Sequence, residues 1–465
     1  MYHSPLIANP IASRAIAMPG LSLPFAAAGV LGALLIGVLV ARDTGVGIAA
    51  AIGACYAPIV FVNLPLGIAI WAPLAFFERV PLAGPGPTVI LILVGAAWFG
   101  ALPSMQQQVA TIFRRHAALF GMMFAFFAWT TASIIWASDQ EAAVEDFWIW
   151  IVVAGIFVVV GTSIVTPRLA VAVCGAFVLG ALVTEVIALV QGPVSDTELS
   201  TQDAGRLGFG TQDPNFLAAA LVPAVAIAVG LLPFAPRGPA RLALMGSIVM
   251  LVVGVVATGS RGGLVAAVIA IVVALAVARG RRLQLGIAVA VLLVIGSFGF
   301  SSSSLDRIKE FDTGTGRIDL WGIASQMSLD HPVVGVGLNN FRSESIDYAL
   351  QPTRVEGLGV VAESPDVVHN IYLQQLAETG VIGFALLCGF LIVAVRASWL
   401  AARMFDATGE PRFAGLARAV LVAQVSALSA SLFISNGNDR RLWLLLALGV
   451  VLASVAARRA AREEW

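Results

Sequence analysis

The sequence predicts an all-α polytopic membrane protein with 12 to 14 transmembrane helices and one large extramembrane loop. Three observations carry this. Of 465 residues, 59% are hydrophobic and only 12% charged, which would leave a soluble domain with a largely apolar surface. Mean hydropathy is +0.93. Apolar runs of about 15–25 residues recur along the chain, suited to a hydrocarbon core that roughly 20 helical residues cross.

Taken in order, the expected spans are 23–41, 45–61, 63–77, 87–102, 117–136, 147–165, 169–190, 215–233, 241–258, 262–279, 283–300, 371–395, 416–435 and 441–457. The run 23–41 follows a long polar lead and continues into further spans, which reads as a retained first helix rather than a cleaved signal peptide. The stretch 45–77 carries no charge over 33 residues. As one helix it would be about 50 Å long, too long for one straight crossing. Pro58 and Pro65 therefore suggest two short passes or a broken helix. Residues 1–300 form an N-terminal bundle of about eleven spans. Residues 301–370 form a loop with room for a small subdomain, and 371–465 add about three spans. Within the loop, Ile318, Trp321, Ala324 and Met327 recur at three-to-four spacing. That pattern predicts an amphipathic helix at the membrane surface, with Trp321 at headgroup level and His331-Pro332 as its stop.

Lys/Arg asymmetry sets the orientation. Arg114, Arg115, Arg168, Arg237, Arg241, Arg279, Arg281, Arg282, Arg396, Arg403, Arg412, Arg458, Arg459 and Arg462 fall on one side, read as cytoplasmic. The other side receives Asp139, Glu141, Glu145, Asp146, Asp196, Glu198, Asp203, Asp213 and ten acids from Asp306 to Asp366. Net charge is zero, so nothing points to nucleic acid. The cysteines Cys55, Cys174 and Cys388 lie in apolar runs, where they act as small buried hydrophobes. No His/Asp/Glu grouping has metal-ligand spacing, so no metal and no cofactor are expected.

Ionisable groups gather at the acidic side. His369-Asn370 precedes Gly380 and Gly383. On a helix starting at His369, both glycines lie within about 40° of it. A histidine above a bare groove could take a proton from a hydroxyl. The other reading makes Asn370 an N-cap and the glycines a packing seam, and spacing leaves both open. The same rotation turns Glu378 away from His369. Arg261 sits in Gly259-Ser260-Arg261-Gly262-Gly263, where glycine-freed amides and a guanidinium fork suit an anion. A snorkelling arginine is the alternative. Arg317 opens the amphipathic helix; a solvated loop charge is its simplest reading. Asp213-Pro214-Asn215 begins a span, with Pro214 and Asn215 as first-turn and capping residues. The turn Gly335-Val336-Gly337 is not a dinucleotide fingerprint, lacking strand–helix context. Asp439 reads either as functional or as a salt-bridge partner of Arg440 or Arg441. Glu185 lies near a span end, where snorkelling accounts for it, and the one lysine, Lys309, is solvated.

Arg317-x3-Trp321, His331-Pro332-x2-Gly335-Val336-Gly337-x3-Phe341 and His369-Asn370-x9-Gly380-x2-Gly383 together resemble the O-antigen ligase and polymerase superfamily. Ser260-Arg261-Gly262 and Asp213-Pro214-Asn215 are similar too. The resemblance implies a GT-C-like helical membrane fold and a metal-independent, inverting glycosyltransferase of the bacterial inner membrane, working on its periplasmic side. Its donor would be a glycan on undecaprenyl diphosphate. Its acceptor would be a hydroxyl on lipid A–core, as in lipopolysaccharide assembly, or on another glycan. It also implies His369 as base or acceptor-positioning group and Arg261 and Arg317 as diphosphate binders. Asn370, Gly380, Gly383, Asp213, Asn215 and Asp439 would be supporting residues.

Overall fold

The computed structural model describes residues 37–77, 86–194, 205–209, 213–277, 317–350 and 367–463. The expected span 283–300, most of 23–41, Lys309, Asp196, Glu198, Asp203, Arg279, Arg281, Arg282 and the acids at 306–312 and 356–366 lie outside these residues.

The bundle starts with α1 (Thr44–Val62) and α2 (Leu64–Trp71), the latter running on as a 3-10 segment to Phe77. Asp43 caps α1 by accepting from the Val46 amide, and Asn63 caps α2 by accepting from that of Leu66. Tyr56 donates to the Gly67 carbonyl at 2.8 Å, and Val60 fills the space where a Gly67 side chain would begin. The chain therefore doubles back at Asn63, and the uncharged stretch 45–77 is two helices rather than one straight one.

Next come α3 (Gly86–Arg115), α4 (Ala117–Ser133), α5 (Gln140–Ser163), α6 (Pro167–Gln191), α7 (Pro214–Leu231), α8 (Pro239–Ala257) and α9 (Arg261–Val277). Proline stands at the start of α6, α7 and α8, where its missing N–H costs no intrahelical bond. Among the described residues two helices, α10 (Arg317–Asp330) and α11 (Phe341–Ala349), lie between α9 and the last three, α12 (Ile371–Ala407), α13 (Pro411–Ala430) and α14 (Arg440–Glu463). Ten helices among the described residues are long and apolar enough to cross a membrane, and Leu64–Phe77 and Arg261–Val277 are shorter apolar helices. The protein is all-α and polytopic, as the composition predicts.

Large apolar side chains such as Val62, Phe124 and Val190 point outward, as lipid-facing surfaces require. The interior is centred on α14, whose residues from Leu442 to Ala457 are almost all buried against α5, α12 and α13. Trp443 stacks on Phe390 at 5.2 Å and meets Trp150 and Phe157 edge-on. Gln424 ties three helices together, accepting from Ser398 and donating to the Leu445 carbonyl, a polar bond between apolar helices.

Two sequence readings are corrected. Cys174 is buried, but Cys55 is exposed on the outer surface of α1. Glu185 does not snorkel: it is 0% exposed and packs against Gly254 of α8, where any side chain would collide with its carboxyl. A glycine on α8 makes the room that sequence position alone could not reveal.

Alternation of the helices gathers Arg114, Arg115, Arg168, Arg237, Arg241, Arg412 and Arg458 at one end of the bundle. There Arg459 pairs with Glu410 and Arg418 with Asp406. His116, at the same end, has its imidazole pKa lowered by burial and, secondarily, by Arg115. Asp139, Asp146, Asp213, α10 and α11 lie at the opposite end.

Candidate functional site

The site end is organised around a break in α12. This helix has 37 residues, about 55 Å if continuous, and Gly380 interrupts it with φ 65° and ψ −173°. Only glycine adopts such a conformation readily. The helix proper starts at Ile371, because Asn370 caps it by accepting from the Tyr372 and Leu373 amides at 3.0 and 3.1 Å. His369 stands before the cap in a left-handed conformation, φ 54°. The predicted alignment of His369, Gly380 and Gly383 on one helical face therefore fails. The capping reading of Asn370 holds.

Nor is the glycine face bare. Val333 occupies the space beside Gly380, and Thr379 and Trp129 that beside Gly383. The loop after α10 enters the break and satisfies the backbone groups it frees. Val381 donates to Pro332 at 2.9 Å, Val336 to Ala377 at 3.0 Å and Gly337 to Glu378 at 2.8 Å. Gly335 and Gly337 have positive φ and lie against Glu378 and Ala137, so any side chain there would push the loop out. Trp129 donates to the Thr379 carbonyl at 2.8 Å. The Glu378 carboxylate, 1% exposed, turns to this loop and accepts from Asn339 N and Gln374 Nε2. Asn340, fully buried, accepts from Ser138 Oγ and Asp139 N and donates to the Asp139 and Leu338 carbonyls. The motif from His331 to Phe341 thus clamps the external helices to α4, α5 and α12.

That clamp positions α10, which ends at Asp330 just before His331-Pro332, as predicted. Of the expected stripe, Ala324 and Met327 are buried, together with Leu320 and Ile323, and Trp321 packs half-buried beside them, but Ile318 is 62% exposed. The face has turned because α10 packs on α11, Val336 and Ala377. The Trp321 indole donates to the Val368 carbonyl at 3.0 Å, one residue before His369. Its ring lies 6.5 Å from that of Phe433, which in turn packs where a Gly262 side chain would stand. These two aromatic residues thus join α10, which Arg317 opens, to the chain just before His369 and to the first turn of α9, which Arg261 opens.

A second chain of contacts joins the arginines. Asp213, rather than Asn215, caps α7, accepting from the Asn215 amide at 2.7 Å. Its other oxygen faces Arg317 at 3.8 Å. Asn215 is 6% exposed; it donates Nδ2 to Asp213 at 2.6 Å and accepts at Oδ1 from Ser260 Oγ at 2.6 Å. Ser260 Oγ accepts from Gly263 N and so caps the first turn of α9, at whose start Arg261 stands. The Gly263 amide is thereby occupied, and Gly262 and Gly263 pack against Phe433 and Ala218. These glycines serve helix packing rather than a bare anion-binding turn. Sequence reasoning missed Arg206, which donates Nε to the Thr258 carbonyl at 2.8 Å and Nη2 to Asn215 Oδ1 at 3.2 Å. The signal was present: an arginine on the acid-rich side runs against the charge asymmetry, as Arg261 does.

Asp439 binds Arg441 through both carboxylate oxygens, the salt-bridge reading. The pair lines a cavity whose wall includes Phe216, Pro223, Asn436 and Leu445, next to Asn215 in sequence. Among the described residues no three His, Cys, Asp or Glu side chains gather as metal ligands do.

Fold and site together define a polytopic helical membrane protein with a polar, arginine-bearing centre at one end of its bundle. Residues 246–388 match the family model for O-antigen ligase, which supports the O-antigen ligase and polymerase superfamily and, in general terms, an enzyme of glycosyl transfer. Arg261, Arg317, His369, Gly380 and Gly383 lie inside that match; Asp213, Asn215 and Asp439 lie outside it. No curated protein matches the chain.

Proposed function

We propose that this protein moves a glycan from undecaprenyl diphosphate to an acceptor hydroxyl at the periplasmic face of a bacterial inner membrane. The observation that carries this reading is that one helix, α10, brings Arg317 within 3.8 Å of Asp213 and binds, through Trp321, the carbonyl of the residue before His369.

In this reading the acceptor hydroxyl attacks the anomeric carbon from the face opposite the leaving group. His369 takes the hydroxyl proton. The bond from the anomeric carbon to the diphosphate oxygen breaks, and the lipid diphosphate leaves with the electron pair. Arg261 and Arg317 stabilise that developing charge through charge-assisted bonds. One displacement inverts the anomeric centre, and no metal ion takes part. The polyprenyl chain does not run along Gly380 and Gly383, since protein fills that groove.

Lipid A–core as acceptor makes the enzyme a ligase; another lipid-linked glycan makes it a polymerase. A lipid-linked glycan transporter would use a broken helix to line a substrate pathway. The break in α12 is instead packed and hydrogen-bonded by the chain's own loop, which favours transfer.

The test is purified protein in lipid with an undecaprenyl diphosphate-linked oligosaccharide and either acceptor. Product identity separates the ligase from the polymerase. Arg261→Ala, Arg317→Ala and His369→Ala are each expected to abolish product while the protein still inserts. Full activity in two of the three overturns the assignment, and so does the absence of any transfer by the unaltered protein.

A further inference from the structure

Arg206 stands outside every motif above, yet it is the element that joins them. Its backbone is fixed on both sides: Val194 N donates to the Arg206 carbonyl at 2.9 Å, and Leu207 N donates to the Ala257 carbonyl at 3.0 Å. From there one guanidinium reaches two targets, the buried Thr258 carbonyl and Asn215 Oδ1. Gly259 has φ 56°, and a side chain on it would reach contact distance of Arg206 Nε, at 3.7 Å. The turn that leads into Arg261 is therefore wrapped against Arg206.

Each end of this link reaches one of the two arginines proposed to bind diphosphate. On one side Asn215 Oδ1 also accepts from Ser260 Oγ, and Ser260 caps the helix that Arg261 opens. On the other side Asn215 Nδ2 holds Asp213, which faces Arg317. Asn215 Oδ1 thus carries two donors, one from Arg206 and one from Ser260. Its carboxamide can turn only by breaking bonds to buried Ser260 and half-buried Arg206 and Asp213, which is costly. The planar fork of arginine is what allows both targets to be held at once; an ammonium group offers no such geometry.

We propose that Arg206 is a positioning residue of the transfer site, setting the placement of Arg261 relative to Arg317 through Asn215 and the Thr258 carbonyl. This inference rests on the transferase reading above. Arg206 acts on the donor end of the site, so its loss weakens recognition of the diphosphate and leaves the proton step at His369 alone.

The experiment is a donor titration with purified Arg206→Lys, Arg317→Lys and the double variant in lipid, with undecaprenyl diphosphate-linked oligosaccharide as the probe. Arg206→Lys is expected to raise the donor KM about tenfold, with kcat within about threefold of the unaltered protein. Because Arg206 acts through the same pair of arginines, the loss in the double variant is expected to be smaller than the product of the two single losses. An unchanged donor KM, or effects of the two substitutions that multiply, overturns the inference. Should Arg206→Lys not fold, Arg206→Gln takes its place. It cannot reach both targets at once, and a normal donor KM in that variant overturns the inference equally. Normal titration by Arg206→Lys while Arg317→Ala is inactive sinks this inference alone. Full activity of Arg261→Ala and Arg317→Ala sinks the transferase reading itself.

Discussion

Val333 and Gly380 touch backbone to backbone. The Val333 carbonyl stands where a side chain on residue 380 would begin, and the neighbouring Val381 amide bonds Pro332 at 2.9 Å. Non-helical backbone within a membrane helix persists only where protein or a polar cavity satisfies it. Here the loop trailing α10 does so, which couples the external helices to the break in α12.

Gly380→Ala should therefore be strongly destabilising. A non-glycine residue in this conformation costs about 1–3 kcal/mol, before the Val333 collision is counted. Thermal unfolding of detergent-purified protein should show a clear fall in melting temperature or a loss of folded material. A melt equal to that of the unaltered protein would contradict the backbone geometry.

Asn340→Ala removes a buried amide that makes bonds to Ser138, Asp139 and Leu338. Leaving those groups unpaired should cost about 2–3 kcal/mol. The loss should appear as easier proteolysis of the segment from α10 to α11 as well as in the melt. A variant as protease-resistant as the parent would show that the clamp does not depend on this residue.

Trp321→Phe keeps the ring beside Phe433 but deletes the bond to the Val368 carbonyl. Stability should fall by only about 1 kcal/mol, whereas transfer should fall about tenfold or more, because a small misplacement of a reacting group is expensive. Comparing initial rates with melting temperatures checks the split; loss of both in proportion would assign Trp321 to packing alone.

Chelation offers a simpler check. With two arginines stabilising the leaving diphosphate, EDTA should leave the transfer rate unchanged within assay error. A large loss, restored by a divalent cation, would require a different account of the leaving group.

Much of this could be read from local pattern. The apolar runs give the helices, and prolines mark the starts of α6, α7 and α8. The period of α10 and its His331-Pro332 stop give its limits to the residue. The motif around His369 is recognisable because its parts lie close together in the chain. Its geometry was misjudged for a local reason: a regular helix was extended back across Asn370 and forward through Gly380. Asn370 is a cap and Gly380 a break, so the helical wheel did not apply. Likewise the buried face of α10 turned away from Ile318 because its partner is the chain's own loop and α12, not the lipid surface.

The sequence by itself determined that this chain folds as a bundle of membrane helices with charge sorted to its two ends, since transfer of side chains out of water depends on composition and period. Tertiary structure alone decided which polar groups meet. Arg206 and Thr258 are 52 residues apart, and Ser133 and Leu338 are 205 apart. A hydrogen bond needs its partners within about 3 Å, and that condition is met by the packing of whole helices, which no local period encodes.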